Sequence, residues 1–247
     1  MKQTIGAYLQ CYKNPYATYK CLESFRKFYP TNTIVLLSDN GYNYEKMAQH
    51  FNCIYIHSTE SIPFIYENME EKNRILHGNN IINRISQVFE LIIEDYIIWL
   101  EDDVCINSEI MDLFRYDLNG FCPNKVSNFW NINDIKQKYS FISESLDYVF
   151  SGHGGSVFNK INILNYFKNI DIINDILINW KKYNFCSNIC QDFLFSMIIH
   201  FNNGTIGPYI GHADCRYKDD NIVVQHQYKV FYNIEMPQQL QYLYKTN

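Results

Sequence analysis

Apolar residues in this chain come in short runs, separated by stretches in which apolar positions recur every three or four residues. The first run, "TIGAYLQCY" (4–12), has strand character. Asn14 and Pro15 follow it, a capping residue and then proline at the first helical position. Ala17, Cys21, Leu22, Phe25 and Phe28 then fall on one helical face, and Pro30 ends the helix. "TIVLLSDNG" (33–41) predicts a buried strand ending in a turn, "YEKMAQHF" a short helix, and "CIYIHS" (53–58) a third strand.

This β-α-β-α-β order predicts a parallel sheet wound from the N-terminus. Such sheets present their ligand-binding groups beyond the carboxyl ends of the strands. A helix is expected from about Asn80 to Glu94, leading into the strand "YIIWL" and then into Glu101, Asp102 and Asp103. Asn107 and Ser108 predict the cap of another helix over "EIMDLFRYDL". Further on, "YVFSGHGGSVFNK" (148–160) reads as two short β pieces around a glycine-rich turn. Two or three helices are expected between Lys160 and Asn202, and the strand-like "NIVVQHQYKVFY" follows. Neither a repeat nor a linker interrupts the 247 residues, so one α/β domain is expected.

Composition narrows the function classes. The chain is 47% apolar and 19% charged, as in a folded globular protein, and its net charge of -5 with no basic run argues against nucleic acid as a partner. The opening "MKQTIGAYLQCYKNPY" lacks the long apolar stretch of an export signal, and no run approaches a membrane span, so a cytoplasmic location is expected. The eight cysteines are then expected to be free thiols. Cys186 and Cys190 have helical spacing without a CxxC pair, a poor zinc signature.

Candidate chemistry centres on the triplet after "YIIWL". Residues two apart on an extended chain point the same way, so Glu101 and Asp103 can face one hard cation such as Mg²⁺ or Mn²⁺. A solvated loop is the alternative. Asp39 ends the second strand, where a carboxylate can accept bonds from a nucleobase or ribose, although Asp-Asn-Gly also serves as turn chemistry. Gly152, Gly154 and Gly155 allow close approach of a ligand or simply close a hairpin, and His153 between them reads as structural. Asp192 opens a helix, as a general base or as a favourable N-terminal charge. His226 offers an imidazole to a divalent metal, and Lys229 offers an ammonium to phosphate oxygens.

In order and spacing these features resemble the GT-A glycosyltransferases, nucleotide-sugar-dependent enzymes with a DxD-type motif, and in the first half the family-2-like members. The resemblance implies a Rossmann-like α/β fold whose mixed, mostly parallel sheet is flanked by helices. It implies a nucleotide-binding half over about residues 1–106 and an acceptor and catalytic half over about 107–247. Carried onto this chain, Cys11, Tyr12 and Asp39 would line the nucleotide pocket, with Arg84 near the diphosphate. Glu101 and Asp103 in "EDD" would hold Mn²⁺ or Mg²⁺ with His226, and Asp102 would contact the sugar or ribose. Gly154 and Gly155 would line the donor, Lys229 would stand near the diphosphate, and Asp192 would be the base of an inverting reaction. The implied donor is a UDP- or GDP-sugar, with UDP favoured, and the acceptor a hydroxyl on a glycan or protein. A nucleotidyltransferase making nucleotide sugars is the first alternative, although "LQCYKNPYATYK" lacks its usual glycine-rich loop. A GT-A-like module that binds without catalysis is the second.

Overall fold

The computed structural model describes residues 3–59, 65–66, 68–121, 129–142 and 154–244. Ser151, Gly152 and His153 therefore lie outside the described residues, as does Cys122. In chain order the elements begin with β1 (Ile5–Cys11), α1 (Pro15–Phe28), β2 (Ile34–Asp39), α2 (Glu45–His50), β3 (Ile54–Ser58), β4 (Ile65–Tyr66), α3 (Glu71–Glu90), β5 (Tyr96–Leu100) and β6 (Cys105–Ile106). They continue with β7 (Leu118–Asn119), α4 (Ile132–Lys136), β8 (Val157–Asn159), α5 (Lys160–Phe167), α6 (Ile170–Ile178), α7 (Trp180–Tyr183) and β9 (Asn188–Ile189). The last elements are α8 (Gln191–Phe201), β10 (Ile206–Gly207), β11 (His212–Asp214) and β12 (Val224–His226).

Seven strands form the central sheet in the order β10-β7-β8-β5-β1-β2-β3. Every neighbouring pair is parallel except those made by β8, which runs against both β5 and β7. The sheet is thus mixed and mostly parallel, and it draws strands from both halves of the chain. The apolar runs that predict β1, β2 and β5 are buried on both faces, as central parallel strands require. Alternate residues feed two cores. Tyr8, Val35, Leu37, Ile97 and Trp99 pack toward α3, α6 and α8. Ala7, Leu9, Leu36, Ile98 and Leu100 pack toward α1 and α2.

Register sets the working rim. Cys11 pairs with Ser38 and Leu9 with Leu100, so β1, β2 and β5 end together and release Tyr12, Asp39 and Glu101 along one edge. A three-stranded sheet, β11-β12-β6, stands beside β5, because β6 follows the acidic triplet within two residues. It carries His226 to that edge.

Several expectations change. The long helix starts at Glu71, not Asn80, and ends at Glu90. Gly78 would ordinarily weaken a helix, but a Cβ there would lie 2.4 Å from Leu177 Cδ1, so the glycine lets α3 close on α6. The helix expected after Ser108 does not form. Its backbone N–H groups are taken elsewhere: Ile110 N by Tyr29 Oη, Phe114 N by Gln3 Oε1, and Arg115 N and Tyr116 N by Asn119 Oδ1. Asn107 caps nothing there; its amide donates to the Asp219 and Ile222 carbonyls and to Gln225 Oε1. Cys186 and Cys190 flank β9 and share no helix. The strand expected after Asn221 is only three residues long, and Lys229–Phe231 turns instead as a 3-10 helix. The described cysteines are free, and no helix among the described residues is long and apolar enough to cross a membrane.

Candidate metal centre

Glu101, Asp103 and His226 each offer a ligand atom, and the three atoms lie within 4.8 Å of one another. Among the described residues they are the one such group of three. His226 Nε2 is 3.5 Å from Glu101 Oε2 and 3.7 Å from Asp103 Oδ1. Donors sharing one cation at about 2.1 Å sit roughly 3–4 Å apart, so this set needs only a small closure. Asp103 is 4% exposed and its Oδ1 has no hydrogen-bond partner, an orphaned buried oxygen that a cation would satisfy. Two carboxylates with one imidazole fit Mn²⁺ or Mg²⁺.

The electrostatics agree with the geometry. Burial and the neighbouring Glu101 charge push the Asp103 carboxyl up to about 6, against the pull of His226 and Lys229. Burial draws the His226 imidazole down. Its bonds to Asp214 and Glu101 and the charges of Glu101 and Asp103 outweigh that and hold it up at about 10. The site is a pocket of excess negative charge in which a histidine is held as a partial substitute for a cation.

Two glycines seat the histidines. A Cβ on Gly154 would lie 2.1 Å from His226 Cδ2, so the ring occupies the space that a side chain would fill. Gly155, at φ +83°, would put a Cβ 2.6 Å from His212 Nε2. At both positions the absence of a Cβ leaves room for an imidazole. His212 Nδ1 accepts the Phe121 N–H at 2.8 Å, and its Nε2 lies 2.9 Å from Gly154 O. Burial and the His226 charge lower it to about 4, so it is a neutral structural group.

Asp102 turns away from the cluster. Asn14 Nδ2 donates to its Oδ2 at 2.9 Å and the Tyr232 hydroxyl donates to its Oδ1. Asn14, expected as a helix cap, makes no side-chain cap bond; its Nδ2 donates to Asp102 instead. Burial raises the Asp102 carboxyl, and these two donors pull against the rise. Asp102 therefore ties β5 to the start of α1 and to the C-terminal segment. Tyr232→Phe is expected to cost about 1.5–3 kcal/mol, as for a bond to a charged group, and so to lower the melting temperature by about 3–12 °C in a thermal scan. An unchanged melting temperature would show that this tie carries no stability.

The remaining expected site residues divide. Lys229 Nζ stands 3.7 Å from Asp103 Oδ2 and is 46% exposed, which joins it to the cluster. Asp39 and Arg84 are brought together as an ion pair, with Nη1 2.8 Å from Oδ1. Asp39 Oδ2 also accepts from Gln10 Nε2 at 3.1 Å, and Arg84 Nη2 donates to Ser58 Oγ at 2.8 Å. Tyr12 is half-exposed on the rim, its carbonyl accepting from Tyr42 N and from the Tyr44 hydroxyl. Cys11 stands at the strand end, but its thiol is buried in the core and donates to Leu37 O. Asp192 lies in the first turn of α8.

Asp214 was not singled out by sequence. Its Oδ1 is 2.9 Å from His226 Nδ1, and the two residues are register partners across β11 and β12. Only strand pairing 12 residues apart reveals that contact. Gln10, Asn14 and Tyr232 were missed for the same reason, because each acts through a partner distant in sequence.

No protein-family model matches the chain, and a search of curated proteins finds no match. Solved structures do match in part. One is the galactosyltransferase LgtC in complex with donor and acceptor sugar analogues, at 12% identity over 89% of this chain and 86% of that one, with a TM-score of 0.48. An active-site mutant of LgtC matches over the same shares with a TM-score of 0.49. Apo glycosyltransferase GlyE from Streptococcus pneumoniae TIGR4 matches at 8% identity over 91% of this chain and 54% of that chain, with a TM-score of 0.48. Likeness this slight carries nothing about activity.

Proposed function

We propose that the chain is a glycosyltransferase that moves a sugar from a nucleoside-diphosphate sugar to a hydroxyl, with Mn²⁺ or Mg²⁺ held by Glu101, Asp103 and His226. The observation that carries this reading is the convergence of those three ligand atoms at the carboxyl end of the central strand β5. In a mostly parallel sheet that end is where ligands bind. When bound, the cation supplies positive charge to the oxygens of the departing diphosphate.

The chain's own residues do the rest. Lys229 meets a phosphate oxygen as a point charge beside Asp103. Asp39, held by Arg84 and Gln10, accepts bonds from the nucleoside, and Tyr12 borders it on the rim. Asp102, held by Asn14 and Tyr232, contacts the sugar or ribose through the lone pairs those two donors leave free. Asp192 takes the proton of the acceptor hydroxyl as it attacks the anomeric carbon opposite the departing group, which inverts that centre. The donor is a UDP- or GDP-sugar, UDP favoured, and the acceptor a hydroxyl on a glycan or protein.

The test is incubation with UDP- and GDP-sugars, Mn²⁺ and hydroxyl acceptors, following nucleotide release with and without EDTA. Free nucleoside diphosphate that disappears with EDTA is expected. Pyrophosphate release would indicate nucleotidyl transfer instead. Calorimetry with UDP and Mn²⁺ that shows no metal-dependent binding would leave a non-catalytic module. Asp192→Asn is expected to retain nucleotide binding and lose transfer; normal turnover would remove it as the base.

A further inference from the structure

Two histidines stand on the adjacent strands β11 and β12, and their ring nitrogens are used differently. Both nitrogens of His212 face backbone groups, the Phe121 N–H and the Gly154 carbonyl. His226 instead has a carboxylate on one side of its ring and the acid pair on the other. Nδ1 lies 2.9 Å from Asp214 Oδ1, while Nε2 faces Glu101 and Asp103. A proton on Nδ1 directed at Asp214 leaves the Nε2 lone pair for another partner.

We propose that Asp214 is the positioning residue of the cation site: it holds the proton on His226 Nδ1 and aims Nε2 at the space shared with Glu101 and Asp103. The inference rests on reading those three residues as a cation site. Its placement supports the role. Asp214 and His226 are register partners on paired parallel strands, so the backbone fixes their side chains on one face. Gly154 packs against the ring so closely that a Cβ there would lie 2.1 Å from His226 Cδ2, which confines the imidazole on that side. A carboxylate hydrogen-bonded to the far nitrogen of a ligating imidazole is the arrangement that fixes tautomer and raises ligand basicity.

The experiment titrates Mn²⁺ into the full chain by electron paramagnetic resonance, without nucleotide, for the parent, Asp214→Asn and Asp214→Ala. Asp214→Ala is expected to weaken Mn²⁺ by about 10–100-fold. Asp214→Asn, which can still accept from Nδ1–H, is expected to lose less. Long-range ¹⁵N–¹H spectra with Mg²⁺ as a diamagnetic cation supply a readout that a merely structural role would not move. They should show a downfield Nδ1–H in the parent, as for a proton shared with a carboxylate, and the loss of that downfield shift in Asp214→Ala. A parent that binds Mn²⁺ together with an Asp214→Ala variant that binds it equally well would overturn the positioning role. So would weakened binding with an unchanged Nδ1–H resonance. A parent that binds no Mn²⁺ overturns the cation site itself, and this inference with it.

Discussion

Asp103→Asn is expected to abolish Mn²⁺ binding and at the same time leave the cation-free protein as stable as the parent or more so. The first half follows from position. Asp103 is the most buried acid of the triplet, its Oδ1 accepts no hydrogen bond, and it is the member of the cluster that also faces Lys229. Loss of an outer hydrogen-bond partner of a metal ligand already costs about 10–100-fold, so loss of a ligand itself should exceed about 100-fold in affinity. Cation-dependent turnover should fall by a similar factor or more.

The second half follows from linkage. The folded Asp103 carboxyl sits at about 6, above the roughly 3.9 of an unfolded aspartate. Below about pH 4 the group is protonated in both states and its protonated form supports the fold. That support is lost as pH rises to about 6, because the folded state must then give up a proton it holds more tightly. At pH 7 the ionised, buried Asp103 works against folding by something on the order of 1–3 kcal/mol, and asparagine removes that cost. Chemical denaturation in EDTA at pH 7 should show the variant at or above the parent, with the advantage shrinking as pH falls toward 4. A variant that is less stable than the parent at pH 7, or one that keeps its Mn²⁺ affinity, would sink the assignment.

That trade of stability for a cation also explains what could be read in the sequence. A short apolar run driven into three acids is legible because a strand and its charged end are local properties, and β5 and its triplet appear as expected. The same holds for β1, β2, β3 and α1, whose periodicity is strong. Features that depend on distant partners are not legible. Residues 109–117 carry helix-like composition, yet Tyr29, Gln3 and Asn119 take their N–H groups first. Gly78 looks like a break until Leu177 is placed against it. Asn14 looks like a cap, yet the side-chain bond it makes is to Asp102 and none goes to the helix end. His226 could be suspected from its type, but Asp214 could not, since nothing local distinguishes one aspartate in a short strand from another. Asp39 and Arg84 were both singled out, while their direct pairing was not foreseen, because helix α3 and strand β2 are joined only in the fold.

Gly154→Ala is expected to be the most damaging single-methyl change in the chain for cation binding. Gly155 stands at φ +83°, where backbone strain adds to the clash, whereas at Gly154 the obstacle to alanine is the His226 ring. The new Cβ would meet His226 Cδ2 at 2.1 Å and Nε2 at 2.5 Å, well inside van der Waals contact. The obstacle is a rigid ring already anchored through Asp214, so the imidazole must swing or the β12 backbone must shift. Overpacking of this kind costs about 1–3 kcal/mol, a drop in melting temperature of about 2–12 °C for a chain this size. The larger consequence falls on Nε2, which leaves its place 3.5 Å from Glu101 and 3.7 Å from Asp103. Mn²⁺ affinity should therefore fall by at least about 10-fold, the cost of disturbing a ligand's orientation. Gly155→Ala separates the two effects. Its strain lies in the backbone and against His212, a neutral structural ring, so it should lose stability by about 1–2 kcal/mol with a smaller loss of Mn²⁺ affinity. Equal Mn²⁺ binding by Gly154→Ala and the parent would mean that His226 is no ligand, and the site would reduce to Glu101 and Asp103.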